Sequence, residues 1–215
     1  MHDTPYVKSD KFGPEVVAGM VAATVEVQKI LGYKIPVGIQ VLACGGREAV
    51  AVAKSTKCQF IRNEGFVFSH IGDEGFIDSN AGELLRYRKS IDADEVLIFS
   101  DIKKKHSSHA ITSDVSLLET VLAAEFFKSD GVIITGKSTG DSVKDDDLKE
   151  IFQKVKLPVM IGSGVTLENI GDYITQADAF IIGSHFKKQG HWSGELCADR
   201  INSFMEKFNE INREF

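Results

Sequence analysis

Residues 158–184 read PVMIGSGVTLENIGDYITQADAFIIGS. Two apolar runs, PVMIGSG (158–164) and AFIIGS (179–184), enclose a stretch with helical spacing, and both runs end in glycine and serine. The runs are rich in Val, Ile and Phe and almost lack polar alternation, which marks parallel strands buried on both faces. Glycine at the end of a strand lets the backbone approach a ligand and adopt positive φ. Amides in such a loop, and at the helix start behind it, then point at an anion. Gly162, Ser163, Gly164 and Val165, with Gly183 and Ser184 on the next run, are therefore candidate phosphate-binding residues. Lys187 and Lys188 follow directly as candidate counter-charges. Position along the chain decides the architecture. An open doubly wound sheet carries its phosphate loop after the first strand, whereas a (β/α)-barrel carries it after the last two. Here the glycine loops follow the last two apolar runs, which predicts a barrel.

Four further runs precede them, at 36–42, 59–63, 95–101 and 131–136. Between and around the runs, helical spacing covers 14–31, 47–55, 81–91, 114–128, 145–156, 166–175 and 199–212. In the last of these, Ile201, Phe204, Met205, Phe208 and Ile211 recur at three and four residues, a core-packing stripe. Unbroken alternation of strand and helix predicts one α/β domain over residues 1–215 with a parallel sheet. A complete eight-fold barrel usually needs about 250 residues. The 215 residues, with six predicted strands, are therefore expected to supply strands three to eight of a TIM (β/α)8-type barrel. Residues 64–80, EGFVFSHIGDEGFIDSN, are predicted as one long irregular loop over the active end.

Bulk properties narrow the function. With 43% hydrophobic and 26% charged residues the chain has the composition of a soluble globular domain. A net charge of -6 argues against a general nucleic-acid binder, which needs a basic stripe. Cys44, Cys58 and Cys197 show no pair spacing, so neither a disulfide framework nor a zinc site is predicted, and a reducing compartment is expected. No apolar run is long enough to span a bilayer. MHDTPYVKSDK at the N-terminus has the character of no targeting peptide, and the expected location is cytoplasmic or mitochondrial.

The densest polar set follows the run at 95–101. Asp101 ends that strand and faces the reaction centre of a barrel, where a carboxylate can act as a general base or hold a hydroxyl. Lys103, Lys104 and Lys105 can neutralise a phosphate, or form a Schiff base if one of them is desolvated. His106 can move a proton near neutral pH. Arg62 and Asn63 end the preceding strand, and Arg62 can grip a carboxylate in two-pronged fashion or pair with Asp101 inside the barrel. Asp101, Lys103, His106, Arg62 and Asn63 form the candidate catalytic set. Gln40, Thr135 and Ser138 are candidate substrate contacts at other strand ends. The stretch around Lys137 lacks the order Gly-x-x-x-x-Gly-Lys-Ser/Thr, which excludes nucleotide binding by that route. His185, His191 and Trp192 match no zinc spacing and are read as rim packing. No cofactor is predicted. A divalent metal at Asp101 is chemically feasible, but no ligand spacing supports it.

Five segments together resemble the BtpA/SgcQ family: FIRNEGFVFSHIGDEGFIDSNAGELLRYRK (60–89), DIKKKHSSHAITSDVS (101–116), DGVIITGKSTGD (130–141), LPVMIGSGVTLENI (157–170) and IIGSHFKKQGHW (181–192). The resemblance implies a phosphate-binding (β/α)-barrel over essentially the whole chain, with a fold and a site rather than a particular reaction. One type of family member is associated with photosystem I biogenesis, and others sit among sugar-metabolism genes. The resemblance also places MHDTPYV at the end of a second barrel strand, so that about 60 residues of βα repeat are expected ahead of it. His2 and Asp3 then flank the active end, with Asp3 a further candidate substrate or metal contact. Unpaired strand edges beside such a gap favour self-association into a homo-oligomer. Two functions follow: an enzyme performing proton transfer on a phosphorylated, sugar-phosphate-like metabolite, or a non-catalytic barrel that supports assembly of another complex.

Overall fold

The computed structural model describes residues 6–136 and 145–213. Along the chain run α1 (Pro14–Leu31), β1 (Gly38–Ile39), α2 (Gly46–Thr56), β2 (Phe60–Asn63), β3 (His70–Gly72), β4 (Gly75–Ile77) and α3 (Ala81–Ser90). There follow β5 (Leu97–Ile102), β6 (Ser107–Ser108), α4 (Leu117–Phe126), β7 (Gly131–Ile134), α5 (Asp145–Lys154), β8 (Val159–Ile161), α6 (Ile170–Tyr173), β9 (Ala179–Phe180) and α7 (Ala198–Ile211). Six strands form one parallel sheet in the order β1-β2-β5-β7-β8-β9. Each neighbour in space is the next barrel strand in sequence, with helices between, which is the winding of a (β/α)-barrel rather than of a doubly wound sheet. The six strands make a half-barrel, with β1 and β9 at its edges among the described residues.

Strand alternation divides the residues between two faces. Ile61, Ile98, Val132, Ile134, Val159 and Ile161 pack with Val50, Leu84, Val121, Leu148, Ile170 and Phe204 of the helices to form the core. The concave face carries Phe60, Arg62, Phe99, Asp101, Ile133 and Thr135. Phe60 and Phe99 meet edge to face there, with ring centroids 5.5 Å apart, and lie one pleat below Arg62 and Asp101. An apolar floor thus underlies a polar rim.

Four expectations change. Residues 64–80 are not a single irregular loop. β3 and β4 form an antiparallel hairpin closed at Gly72 and Gly75, and β6 from the loop after β5 joins it as a third strand. Asp73 and Glu74 make the two-residue turn, and Gly75 supplies the positive φ of 103° that closes it. The helix predicted over 114–128 starts at Leu117, because Ser116 and Glu119 make a reciprocal capping box. The helix predicted over 166–175 shrinks to α6. Asn169 accepts from the Thr166 amide at 2.8 Å and donates to the Gly164 carbonyl at 2.8 Å, so its first residues serve the glycine loop instead. The outer strands β1 and β9 pair over two residues each, and among the described residues each has a partner on one side alone.

Ile98 is fully buried toward the helices, whereas Leu97 beside it is 42% exposed on the other face. Ile98→Ala should cost about 2–5 kcal/mol in urea unfolding, and Leu97→Ala less than half as much. Equal losses would contradict the assignment of faces.

Candidate functional site

At the carboxyl ends of β2 and β5, Arg62 opposes Phe99 in register, so its long side chain reaches along the sheet to Asp101. Its Nε donates to Asp101 Oδ2 and its Nη2 to Oδ1, both at 2.8 Å. The Asp101 side chain is completely buried and that of Arg62 is 17% exposed. Burial opposes the Arg62 charge, but Asp101 outweighs it and holds the guanidinium above its ordinary pKa.

A second buried pair lies just beyond the same strands, with Glu64 one residue past β2 and Lys104 two past β5. Lys104 Nζ stands 3.4 Å from Glu64 Oε1, and both side chains are 8% exposed. Glu64 also accepts from the Cys44 amide at 3.2 Å and from Gln40 Nε2 at 3.4 Å. Burial raises the Glu64 carboxyl above the usual range, against the pull of Lys104. The Cys44 thiol, 3.7 Å from Glu64 Oε2, is pushed up to about 12 by burial and by that carboxylate, which makes it a poor nucleophile.

The three-stranded sheet lies beside these pairs. His70 of β3 and His109 have ring centroids 5.3 Å apart, and His109 Nε2 lies 2.9 Å from the Lys104 carbonyl. A small cavity between them is lined by Gly65, Phe68, His70, Asp101, Lys103 and His109, among others. Burial first, then His109 and Lys104, lower the His70 pKa to about 4.

The loop after β8 carries Ser163 and Val165 buried and Gly164 at φ 74°, a left-handed turn suited to glycine. Asn169 holds this loop from behind, as described. Gly183 and Ser184 follow β9, and Ser184–Phe186 forms a short 3-10 helix. A Cβ added at Gly183 would meet nothing within 4 Å, so its backbone borders open space. Lys105 joins this half of the site to the other. Its amide donates to Thr135 Oγ1 at 3.3 Å, and its Nζ reaches Ser163 Oγ at 3.4 Å.

Of the candidate catalytic residues, the structure brings Arg62 and Asp101 together in one hydrogen-bonded pair, while Asn63 and Lys103 bond elsewhere. Asn63 faces the helices: its Nδ2 donates to Asn80 Oδ1 at 3.3 Å, and a Cβ on Gly46 of α2 would lie 2.1 Å from its Oδ1. The reason is the two-residue period, which puts Asn63 on the face opposite Arg62. Lys103 adopts positive φ and donates to the Thr112 carbonyl at 3.1 Å, across the small cavity that it and Asp101 both line. His106, also at positive φ, is exposed. Thr135 anchors the Lys105 backbone, and Gln40 lies against Glu64. Ser138 and Asp3 fall outside the described residues. Lys187 donates to the Trp192 carbonyl and Lys188 pairs with Glu195 at 2.7 Å, so both are engaged within their own loop rather than at the glycine loops. His185 packs on Phe204, with centroids 5.6 Å apart. Among the described residues no group of three His, Cys, Asp or Glu side chains is placed to hold a metal.

Glu64 and His70 join the site without having been singled out, and Lys104 and Lys105, named with Lys103 as phosphate or Schiff-base candidates, join it in place of Lys103. Lys104 and Lys105 stood in a run of three lysines, and the two left-handed residues around them, which no local pattern announces, decide which of the run turn inward. His70 required the hairpin, whose Gly-Asp-Glu-Gly turn was a usable signal.

Comparisons with known proteins agree with this architecture. The model of the BtpA family matches residues 1–210. A Caenorhabditis elegans protein described as mitochondrial is 45% identical over 99% of this chain and 77% of its own length. The photosystem I biogenesis protein BtpA of Synechocystis is 32% identical over 97% of this chain and 71% of its own. The solved structure of thiamine phosphate pyrophosphorylase from Pyrococcus furiosus superposes with a TM-score of 0.61 at 15% identity, covering 94% of this chain and 80% of that one. At that identity the likeness concerns the fold. Among the described residues, no helix is long and apolar enough to cross a membrane.

Breaking one partner of a buried ion pair strands the other charge. Arg62→Met and Asp101→Asn should each destabilise the fold by about 3–5 kcal/mol, and the double variant by clearly less than their sum. Additive losses in chemical unfolding would contradict a coupled pair. A second expectation concerns pH. His70 is neutral in the folded state down to about 4, while its ordinary value is 6.5. The unfolded chain therefore binds a proton first, and this part of the stability is full above 6.5 and lost as pH falls toward 4, by about 3 kcal/mol at most. Glu64, with its raised pKa, contributes in the opposite sense. The His70→Gln variant should accordingly show a flatter loss of stability over that window than the parent; an identical slope would contradict the burial of a neutral imidazole.

Proposed function

The chain belongs to the BtpA family, and we propose that it binds a phosphorylated small metabolite of the sugar-phosphate kind across the carboxyl ends of its parallel strands. The phosphate sits on the amides of Ser163, Gly164, Val165, Gly183 and Ser184. The rest of the metabolite lies toward the Arg62–Asp101 pair, with Thr135 and Gln40 at its sides, and that polar rim performs proton transfer on it. The observation that carries this reading is the placement of Lys105, whose Nζ stands at the Ser163 hydroxyl while its backbone is tied to Thr135. One cation thereby spans the interval between the glycine loop and the buried ion pair. Two supports are independent of it. Phosphate sites in (β/α)-barrels lie after the last two strands, and the structural neighbour from Pyrococcus furiosus bears the name of an enzyme of thiamine phosphate. The location we propose is mitochondrial, following the Caenorhabditis elegans relative.

A ligand that binds the folded state alone stabilises it by about 2.7 kcal/mol at a hundred times its Kd, worth roughly 5–10 °C for a chain of this size. Ribose 5-phosphate should produce such a rise in melting temperature, and unphosphorylated ribose should not. Gly164→Asp, which keeps a residue tolerant of positive φ but sets a carboxylate in the cradle, should abolish it. No rise with the phosphorylated sugar, or an equal rise in the variant, would contradict the reading.

A further inference from the structure

Lys104 and Lys105 are adjacent and electrostatically opposite. Lys104 is neutralised by Glu64 and its pKa is raised. Lys105 has a hydroxyl, that of Ser163, as its side-chain partner, and no carboxylate lies within ion-pair distance of it among the described residues. The charged group that works against it is the Arg62 guanidinium, and Asp101, already bound in two-pronged fashion to Arg62, offsets this more weakly. Partial burial and that guanidinium hold Lys105 below the ordinary lysine value. A lysine so placed carries a larger share of neutral, nucleophilic amine at neutral pH than an exposed one. Its backbone is fixed to Thr135 and its tip to the glycine loop, so the amine is directed over the seat proposed for the phosphate.

We infer that Lys105 forms a Schiff base with the carbonyl carbon of a short phosphorylated aldehyde or ketone seated on the glycine loops. The inference rests on the phosphate reading above and specifies its substrate class. In the step, the neutral Nζ adds to the carbonyl carbon and a C–N bond forms as the π pair moves to oxygen. The nitrogen gives up one proton, which the oxygen takes, with the Ser163 hydroxyl as the adjacent relay. A second proton from solvent lets that oxygen leave as water, and the nitrogen lone pair closes a C=N bond. The solvent proton supplies the iminium's single positive charge, so the site gains one charge relative to the neutral amine that adds. No oxidant or reductant takes part.

Borohydride reduction tests this on the full chain. With dihydroxyacetone phosphate present, the intact mass should rise by that of the ligand less one oxygen atom, and peptide mapping should place the adduct on Lys105. Glycerol 3-phosphate, which has the phosphate and lacks the carbonyl, should suppress the adduct by competition. Lys105→Arg, with its fold checked by an unchanged urea-unfolding transition, should lose the adduct by about tenfold or more. A gain in melting temperature without an adduct on the parent chain, with dihydroxyacetone phosphate and glyceraldehyde 3-phosphate alike, rejects the Schiff base and leaves the phosphate reading standing. An adduct spread over exposed lysines and undiminished in Lys105→Arg also rejects it. Absence of any thermal gain with these phosphates overturns the phosphate reading and the Schiff base with it.

Discussion

The ion pair between Arg62 and Asp101 ties the carboxyl ends of β2 and β5 on the concave face of the sheet. A carboxylate with no exposed surface requires a partner that answers both of its oxygens, and the planar guanidinium does so from the neighbouring strand. Below the pair lies the apolar floor of Phe60 and Phe99. Above it the chain leaves β5 into the segment that carries Lys104 and Lys105. With the pair in place, the start of that segment is fixed in position and in electrostatic environment. Lys105 then faces a guanidinium whose charge is already committed, and Lys104 is left to answer Glu64.

The segment after β5 distributes three consecutive lysines to three tasks. Left-handed backbone at Lys103 and again at His106 breaks the extended run twice within four residues. Lys103 is sent to the Thr112 carbonyl, Lys104 to Glu64 beneath the small sheet, and Lys105 across to the loop after β8. The small sheet closes this arrangement from the side, since β6 of the same segment pairs with β3 of the hairpin. Two loops from adjacent barrel strands thus hold one another, and the buried neutral His70 lies within the seam. The glycine loop is held by a different device, the side chain of Asn169, which accepts from the Thr166 amide and donates to the Gly164 carbonyl.

The half-barrel was legible because its signal is repeated. Six runs of Val, Ile and Phe, each followed by helical spacing, leave little choice of sheet type, and the order of the glycine loops decides between barrel and open sheet. The Arg62–Asp101 pair was legible for the same reason, since both residues lie next to the last in adjacent strands and face the same side. Asn63 shows the limit of adjacency: it stands beside Arg62 in sequence and on the other side of the sheet in space. The roles of Lys103, Lys104 and Lys105 depend on backbone angles at single residues, and His106 is a non-glycine in the left-handed region that composition does not reveal. The hairpin was missed because an alternating pattern of three residues per strand is too short to stand out beside buried parallel strands. Glu64 was hidden by its position, one residue past a strand, where burial depends on the cap and not on the strand's own period.

The account turns on an anion site at two adjacent strand tips. Its most direct measurement is a two-dimensional amide spectrum of the 15N-labelled chain titrated with inorganic phosphate. The account predicts saturable shifts that are largest at the amides of Ser163, Gly164, Val165, Gly183 and Ser184. Shifts confined to exposed lysine segments such as Lys54 and Lys57, with the glycine loops unmoved, would contradict it.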